Sequence, residues 1–229
     1  MPDLVFRAFT SNPKELLIDS NSSINIDTMN FLSIDCSIAI GSLFIKIKNK
    51  TFSKNLQSDK SNNDLLMMRI LDFFEENNLE FDDISVIFVN QGPGNFSGLR
   101  GSLATAKGIS LSKNLELFGY DKFIWACAKF FNKENSIYSL IKVKEKYYIK
   151  KFNEKLISDS KVEEVTEQEI IEKYNKKFKV IEKSSTRHFD DKILKLDNLK
   201  TVDLKHNELE FLKLKGLLEK DLIKPIYLG

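Results

Sequence analysis

The residues best placed to do chemistry sit in one loop. The apolar run "ISVIFV" leads straight into "NQGPGNFSGLR", residues 90–100, where three glycines and a proline fall within the seven positions from Gly92 to Gly98. A strand, a glycine loop and a helix N-terminus in that order can aim backbone N–H groups at a phosphate. A phosphate-binding P-loop, however, needs Gly-x-x-x-x-Gly-Lys-Ser/Thr, and here Gly98 is followed by Leu99 and Arg100, so the lysine and the magnesium-binding hydroxyl are missing. The dinucleotide fingerprint is closer: Gly92-x-Gly94-x-x-x-Gly98 is one residue longer than G-x-G-x-x-G, and Glu116 or Asp121 lies near the distance expected of a ribose-binding acid. Pro93 stiffens the segment that would have to wrap a pyrophosphate. The competing reading is mechanical: the glycines supply a tight turn out of a buried strand, and Asn95 or Ser97 caps the next helix.

That helix, expected from about Ser97 to Ser112, carries Gly101, Thr105 with Ala104, Gly108 and Ser112 along one side, and Leu99, Leu103 and Ala106 on another suited to packing on a sheet. Each glycine inside a helix costs about 1 kcal/mol relative to alanine. Two of them imply that something packs closely there, either another element of the same chain or a partner subunit. An earlier helix, expected from about Asn62, places Leu66, Ile70 and Phe73 on one face and Met67, Leu71 and Phe74 beside it. Its apolar arc is wider than a single buried stripe requires, so it too is expected to have two apolar neighbours.

Little else in the chain has catalytic spacing. His188 and His206 lie in polar, charged surroundings, have no metal-ligand spacing, and read as surface histidines. Cys36 and Cys127 are far apart and in apolar or small-residue surroundings, as expected of reduced, buried thiols in a reducing cytoplasm. No Ser/His/Asp or paired-carboxylate arrangement stands out, and no metal site or cofactor is expected. With 35 Lys plus Arg against 33 Asp plus Glu, the net charge of +2 gives no strong long-range field for nucleic acid. The lysines of the second half, as in "IKVKEKYYIKK", read as a solvated strand face. The longest apolar runs, "VIFV" and "FIWACA", are too short to cross a bilayer.

The elements that must position the loop follow an α/β order. Residues 1–28 show no sustained period and read as a non-core N-terminal extension, with Met29 standing where a start methionine would stand. From there "FLSIDCS" reads as a strand, "SLFIKIKNKTFSKNL" as a strand pair and "DDISVIFVN" as a strand buried on both faces. After the loop and its helix come a strand "LELFGYD", a helix "DKFIWACAKFFNKEN", and a hairpin of "SIYSLIKV" and "KYYIKKF" turning at Lys144-Glu145. The rest reads as a helix "VTEQEIIEKYNKK", a strand "FKVIEK", a helix "HNELEFLKLKGLLEK" and the tail "KPIYLG". We expect α/β layers in two lobes, 29–130 and a reduced 131–229.

Taken together, "GPGNFSGLRGSLATAKGISL", "FLSIDCS", "LFGYDKF" and "KPIYLG" resemble, in order, the signature stretches of the bacterial TsaB (YeaZ) family, most specifically in the loop and helix. The resemblance implies the actin-like/Hsp70-like ATPase (ASKHA) fold. It also implies a non-catalytic scaffold that binds and activates TsaD in forming N6-threonylcarbamoyladenosine at position 37 of ANN-decoding tRNAs. TsaE would join the larger complex, a homodimer would form when the chain is alone, and contact with tRNA would be indirect. The family's contact with TsaD is a bundle of the first two long helices, which here would be lined by Leu66, Met67, Ile70, Leu71, Phe74, Gly101, Ala104, Thr105, Gly108 and Ser112. In kinases of this fold the position of Asp35 holds a hydrated magnesium ion. The segment after Asp35-Cys36-Ser37 is shorter than the family's, so Asp35 and Ser37 would mark a vestigial nucleotide site, with Asp35 capping a turn. The second-lobe stretch "IKVKEKYY" keeps only Tyr148 of the family pattern. Arg100, unfavourable beside a helix N-terminus, is expected to pair with a carboxylate of this chain or of TsaD. The alternative is a nucleotide- or NAD(P)-binding enzyme using Gly92–Gly98.

Overall fold

The computed structural model describes residues 29–38, 40–56, 65–158, 160–220 and 223–228. The expected extension over 1–28, and the start of the first helix before residue 65, lie outside these.

Two five-stranded sheets are built to the same plan. In the first, β1 (Phe31–Asp35), β4 (Val86–Gly92) and β5 (Glu116–Asp121) run parallel, and the hairpin of β2 (Ser42–Ile47) and β3 (Lys50–Asn55) adds antiparallel strands, in the order β3-β2-β1-β4-β5. In the second, β6 (Ser136–Val143) and β7 (Lys146–Asn153) form the expected hairpin, with Lys144 in left-handed backbone at its turn. β8 (Glu163–Val165) pairs with β7 antiparallel, while β9 (Lys179–Glu182) and β10 (Leu199–Val202) continue parallel beyond β6. Its order, β8-β7-β6-β9-β10, repeats that of the first sheet strand for strand.

Every residue of β1 and β4 is buried, as their near-continuous apolar sequences require for strands covered on both faces. Alternation then sorts the side chains. Leu32, Ile34, Ile87 and Val89 face α1 (Leu66–Glu76) and α2 (Phe96–Lys113), which contribute Leu66, Ile70, Phe73, Phe74, Leu103, Ala106 and Ile109 to one core. Phe31, Val86 and Phe88 face the opposite core, filled by α3 (Lys122–Cys127) and by Leu209 and Leu212 of α6 (Asn207–Leu214). The outer face of the second sheet packs Leu140, Ile149 and Ile181 against α4 (Glu167–Lys173) and α5 (Asp191–Leu194) through Ile170 and Ile193. α4 begins in a capping box in which Thr166 and Glu169 exchange hydrogen bonds, a signal readable in "TEQE".

The strands β8 and β10 and the helix α5 were not expected from the sequence. They are three or four residues long, too short for a period to register.

His206 corrects the surface reading. Its ring stacks on Phe44 with centroids 4.5 Å apart and lies 5.1 Å from Trp125, and Nδ1 is 3.0 Å from Ser33 Oγ. Burial pulls its pKa down to about 4 against the opposing pull of Asp35. Polar neighbours in sequence concealed this because the apolar ones come from β2 and α3. One turn on, Glu210 accepts from the Met29 N–H at 3.1 Å and pairs with Lys46, so α6 straps the second half of the chain across the first sheet. His188 is exposed, as expected.

Both cysteines are buried free thiols; burial pushes Cys36 up to about 12 and raises Cys127 as well.

Candidate functional site

The glycine loop is filled by its own chain. Asn90 at the end of β4 accepts from the Gly92 N–H at 2.8 Å, the Gly92–Pro93 peptide is cis, and the Asn95 N–H donates to Ser37 O at 2.7 Å. Asn95 is the N-cap of α2, its side-chain oxygen accepting from the N–H and from the Oγ of Ser97, each at 3.1 Å. The turn after β1 lies so close that a Cβ on Gly94 would overlap Ser37, and one on Gly98 would overlap the Cys36 carbonyl oxygen. Only glycine tolerates that approach. Carbonyl oxygens therefore press against the loop where an anion would need donors, which argues against the phosphate-cradle reading of Gly92–Gly98.

Asp35 and Ser37 share that turn. The Ser37 N–H donates to Asp35 Oδ1 at 2.8 Å, the turn-capping bond anticipated from the sequence, and Asn90 Nδ2 lies 3.3 Å from Ser37 Oγ. Burial pushes the Asp35 carboxyl up, but the Lys122 ammonium and the hydrogen bonds from Ser37 and Asn90 outweigh it and hold the group below the usual carboxylate range. Among the described residues no group of three or more His, Cys, Asp or Glu is arranged to hold a metal ion. None of their helices is long and apolar enough to cross a membrane.

Arg100 does not make the pairing expected of it within this chain. Its guanidinium lies over the Phe96 ring, 5.1 Å from the centroid, and among the described residues it meets no carboxylate. Phe96 in turn packs on Tyr227 of the tail, centroids 4.9 Å apart. The aromatic partner was not foreseen, although Phe96 stands one helical turn before Arg100.

The residues assigned to the helix face divide in two. Leu66, Ile70 and Phe74 are buried in the chain's own core and cannot line an outer surface; α1 needs that arc to cover β1 and β4. Met67 and Leu71 are exposed, and so is Met68, which lies on the helix beyond both apolar rows. On α2, Leu99, Leu103 and Ala106 are buried as expected, whereas Ala104, Gly108 and Ser112 are exposed and Gly101 and Thr105 half-buried. A Cβ added at Gly108 would meet nothing within 4 Å. Leu111, one turn beyond Gly108, is 85% exposed. The i+3 spacing from Gly108 could have flagged it. Among the described residues, then, no element of the same chain covers the small-residue side of α2 at Gly108.

A family model described as "TsaD: tRNA N6-adenosine threonylcarbamoyltransferase" matches residues 57–138, the stretch that holds α1, the glycine loop, α2 and α3. The tRNA threonylcarbamoyladenosine biosynthesis protein TsaB of Buchnera aphidicola subsp. Baizongia pistaciae is 36% identical over 86 residues, which is 37% of this chain. Over this stretch the chain is similar to the TsaB (YeaZ) family. The alignment spans 38% of that curated TsaB. The structure of YeaZ from Pseudomonas aeruginosa superposes with a TM-score of 0.62 at 12% identity, covering 87% of this chain and all of that one. A crystal structure of an uncharacterized protein with similarity to peptidase YEAZ from Pseudomonas aeruginosa gives a TM-score of 0.64, also at 12% identity, over 88% of this chain. The YeaZ likeness and the strand order repeated in two sheets make this the actin-like α/β fold, with β8, β9 and β10 of the second sheet only three or four residues long.

Proposed function

We propose that this chain is a TsaB-type accessory subunit in the formation of N6-threonylcarbamoyladenosine at position 37 of ANN-decoding tRNAs. It binds and activates TsaD through the outward sides of α1 and α2 and carries no chemistry of its own; TsaE joins the larger complex, in the cytoplasm. The observation that carries this reading is Gly108: a helix-interior glycine with open space over it, beside the exposed Leu111, and set on a helix that packs against α1, which carries the exposed Met67 and Met68. A glycine there weakens the isolated helix by about 1 kcal/mol without any internal contact in return, which is understandable if a second helix closes on it. Exposed methionines suit such a contact, because their flexible thioethers adapt to a partner surface. When TsaD is absent, a second copy of this chain can cover the same sides as a homodimer.

Gly108→Leu tests the reading. The variant should fold, because the added side chain meets open space, and should lose co-purification with TsaD together with the gain in threonylcarbamoylation that the wild type confers. Normal association of the variant would refute the helix-face assignment. We also propose that residues 29–130 and 131–229 form the two lobes and that residues 1–28 lie outside the core. Deleting residues 1–28 should leave the thermal unfolding midpoint unchanged, and a loss of cooperative unfolding would overturn that boundary.

A further inference from the structure

At the end of the second sheet where β6, β9 and β10 begin, a pocket of about 480 Å³ is lined by Lys176, Lys177, Lys200, Tyr138, Asn198 and Glu134, among others. The three lysines are exposed and, among the described residues, pair with no carboxylate, so their charge is open to a ligand. Beneath the pocket floor Lys179 is fully buried. Its Nζ donates to the carbonyl oxygens of Tyr174 at 2.7 Å, Asn175 at 2.6 Å, Lys177 at 2.8 Å and Asp197 at 2.9 Å. An ammonium has three N–H groups, so these four acceptors share them. Asn198 Nδ2 donates to Lys176 O at 3.3 Å and ties the two walls together.

One buried cation thus turns the carbonyls of both walls inward. The negative ends of those peptide dipoles face the interior, and the lysine side chains of the same loops project from a backbone already held in place. The ammonium itself is met by those four carbonyl oxygens, so its effect on the pocket is to fix the backbone that carries the surface lysines. The exposed large apolar side chains, among them Met68, Leu111 and Phe96, all lie elsewhere. A protein partner would want an apolar centre to its contact. Lysines and side-chain amides around a polar hollow are what reads a phosphate backbone.

We propose that this pocket binds the phosphodiester backbone of RNA, so that the chain touches tRNA directly instead of only through its partner. The choice of RNA rests on the tRNA-modification reading above; the surface itself does not depend on the α1–α2 contact.

The test uses the full chain, an unmodified tRNA transcript and fluorescence anisotropy over a salt series. Lys176→Glu combined with Lys177→Glu and Lys200→Glu should weaken binding by at least about tenfold and lower the slope of log K against log salt by about 3, near one per lost phosphate contact. A control, Lys48→Glu with Lys50→Glu at the far edge of the first sheet, should change neither. Equal loss in the control, or an unchanged slope in the triple variant, would overturn the proposal. Loss of poly-glutamate binding with tRNA binding unaltered would overturn it in favour of an acidic protein partner. The triple variant should still co-purify with TsaD, and Gly108→Leu should still bind tRNA, so failure of the docking reading and failure of this one give different results.

Discussion

The two sheets share one strand order and differ in what connects the strands. In the first, the crossover from β4 to β5 is an 18-residue helix, α2, and that from β3 to β4 contains the 11-residue α1. In the second, the corresponding connections hold a 3-10 turn with the four-residue α5, and the seven-residue α4. A long helix on a sheet has an inner side for the core and a broad outer side to spare; a helix of one or two turns exposes only a few residues on its outer side. The first lobe can therefore offer helix surface to a partner. The second has instead a loop surface stiffened by a buried lysine. The same strand order, with long or short connections, leaves exposed helix surface beside the first sheet and a lysine-lined pocket at the second.

If the second lobe is the lighter one, equivalent core cuts should cost less there. Ile87→Ala in β4 should destabilise by an amount toward the high end of about 2–5 kcal/mol, and Ile181→Ala in the matching strand β9 by an amount toward the low end, both read from denaturant midpoints. Equal losses would break the comparison.

The join between the lobes should show in the acid limb. His206 has a pKa near 6.5 when unfolded and about 4 when folded, so between those values the unfolded chain binds the extra proton, and stability falls as pH drops from 6.5 to 4. The span allows up to about 3 kcal/mol. His206→Phe preserves the stack on Phe44 and should flatten the fall of the melting temperature over that window, with Asp35, Glu116, Glu169 and Asp190, all held low in the folded chain, accounting for the fall at lower pH. An unchanged acid limb would mean that His206 does not hold the lobes together in its neutral form.

Within the first lobe the smallest effects should have opposite signs. Gly98→Ala drives a Cβ into the Cys36 carbonyl and should cost about 1–3 kcal/mol, while Gly108→Ala enters open space and should gain up to about 1 kcal/mol in thermal melts. Loss at both positions would show that Gly108 is needed by the chain's own fold, and the docking face would lose its main support.

Much of this was readable along the chain. The continuous apolar runs of β1 and β4 declare strands covered on both sides, the hairpin of β6 and β7 declares itself by two apolar strands around Lys144, and "TEQE" announces the start of α4. The small-residue side of α2 follows from helical spacing alone, as do its buried Leu99, Leu103 and Ala106. These features depend on neighbours within a few residues, and periodicity reports those faithfully.

What the sequence could not settle depends on contacts made across it. It showed that α1 has a wide apolar arc, but only packing against β1 and β4 decided that Leu66, Ile70 and Phe74 turn inward and Met67, Met68 and Leu71 remain outside. It showed glycines in a loop that could have cradled a phosphate, and only the approach of the Cys36–Ser37 turn, more than fifty residues earlier, revealed what they make room for. It placed His206 among polar residues, and only β2 and α3 enclosed it. It counted Lys179 as one lysine among many, and the fold set it beneath four carbonyls. Local sequence determines which surfaces an element can offer; the tertiary structure decides which of them are used up, because burial is settled by whatever the rest of the chain brings against them.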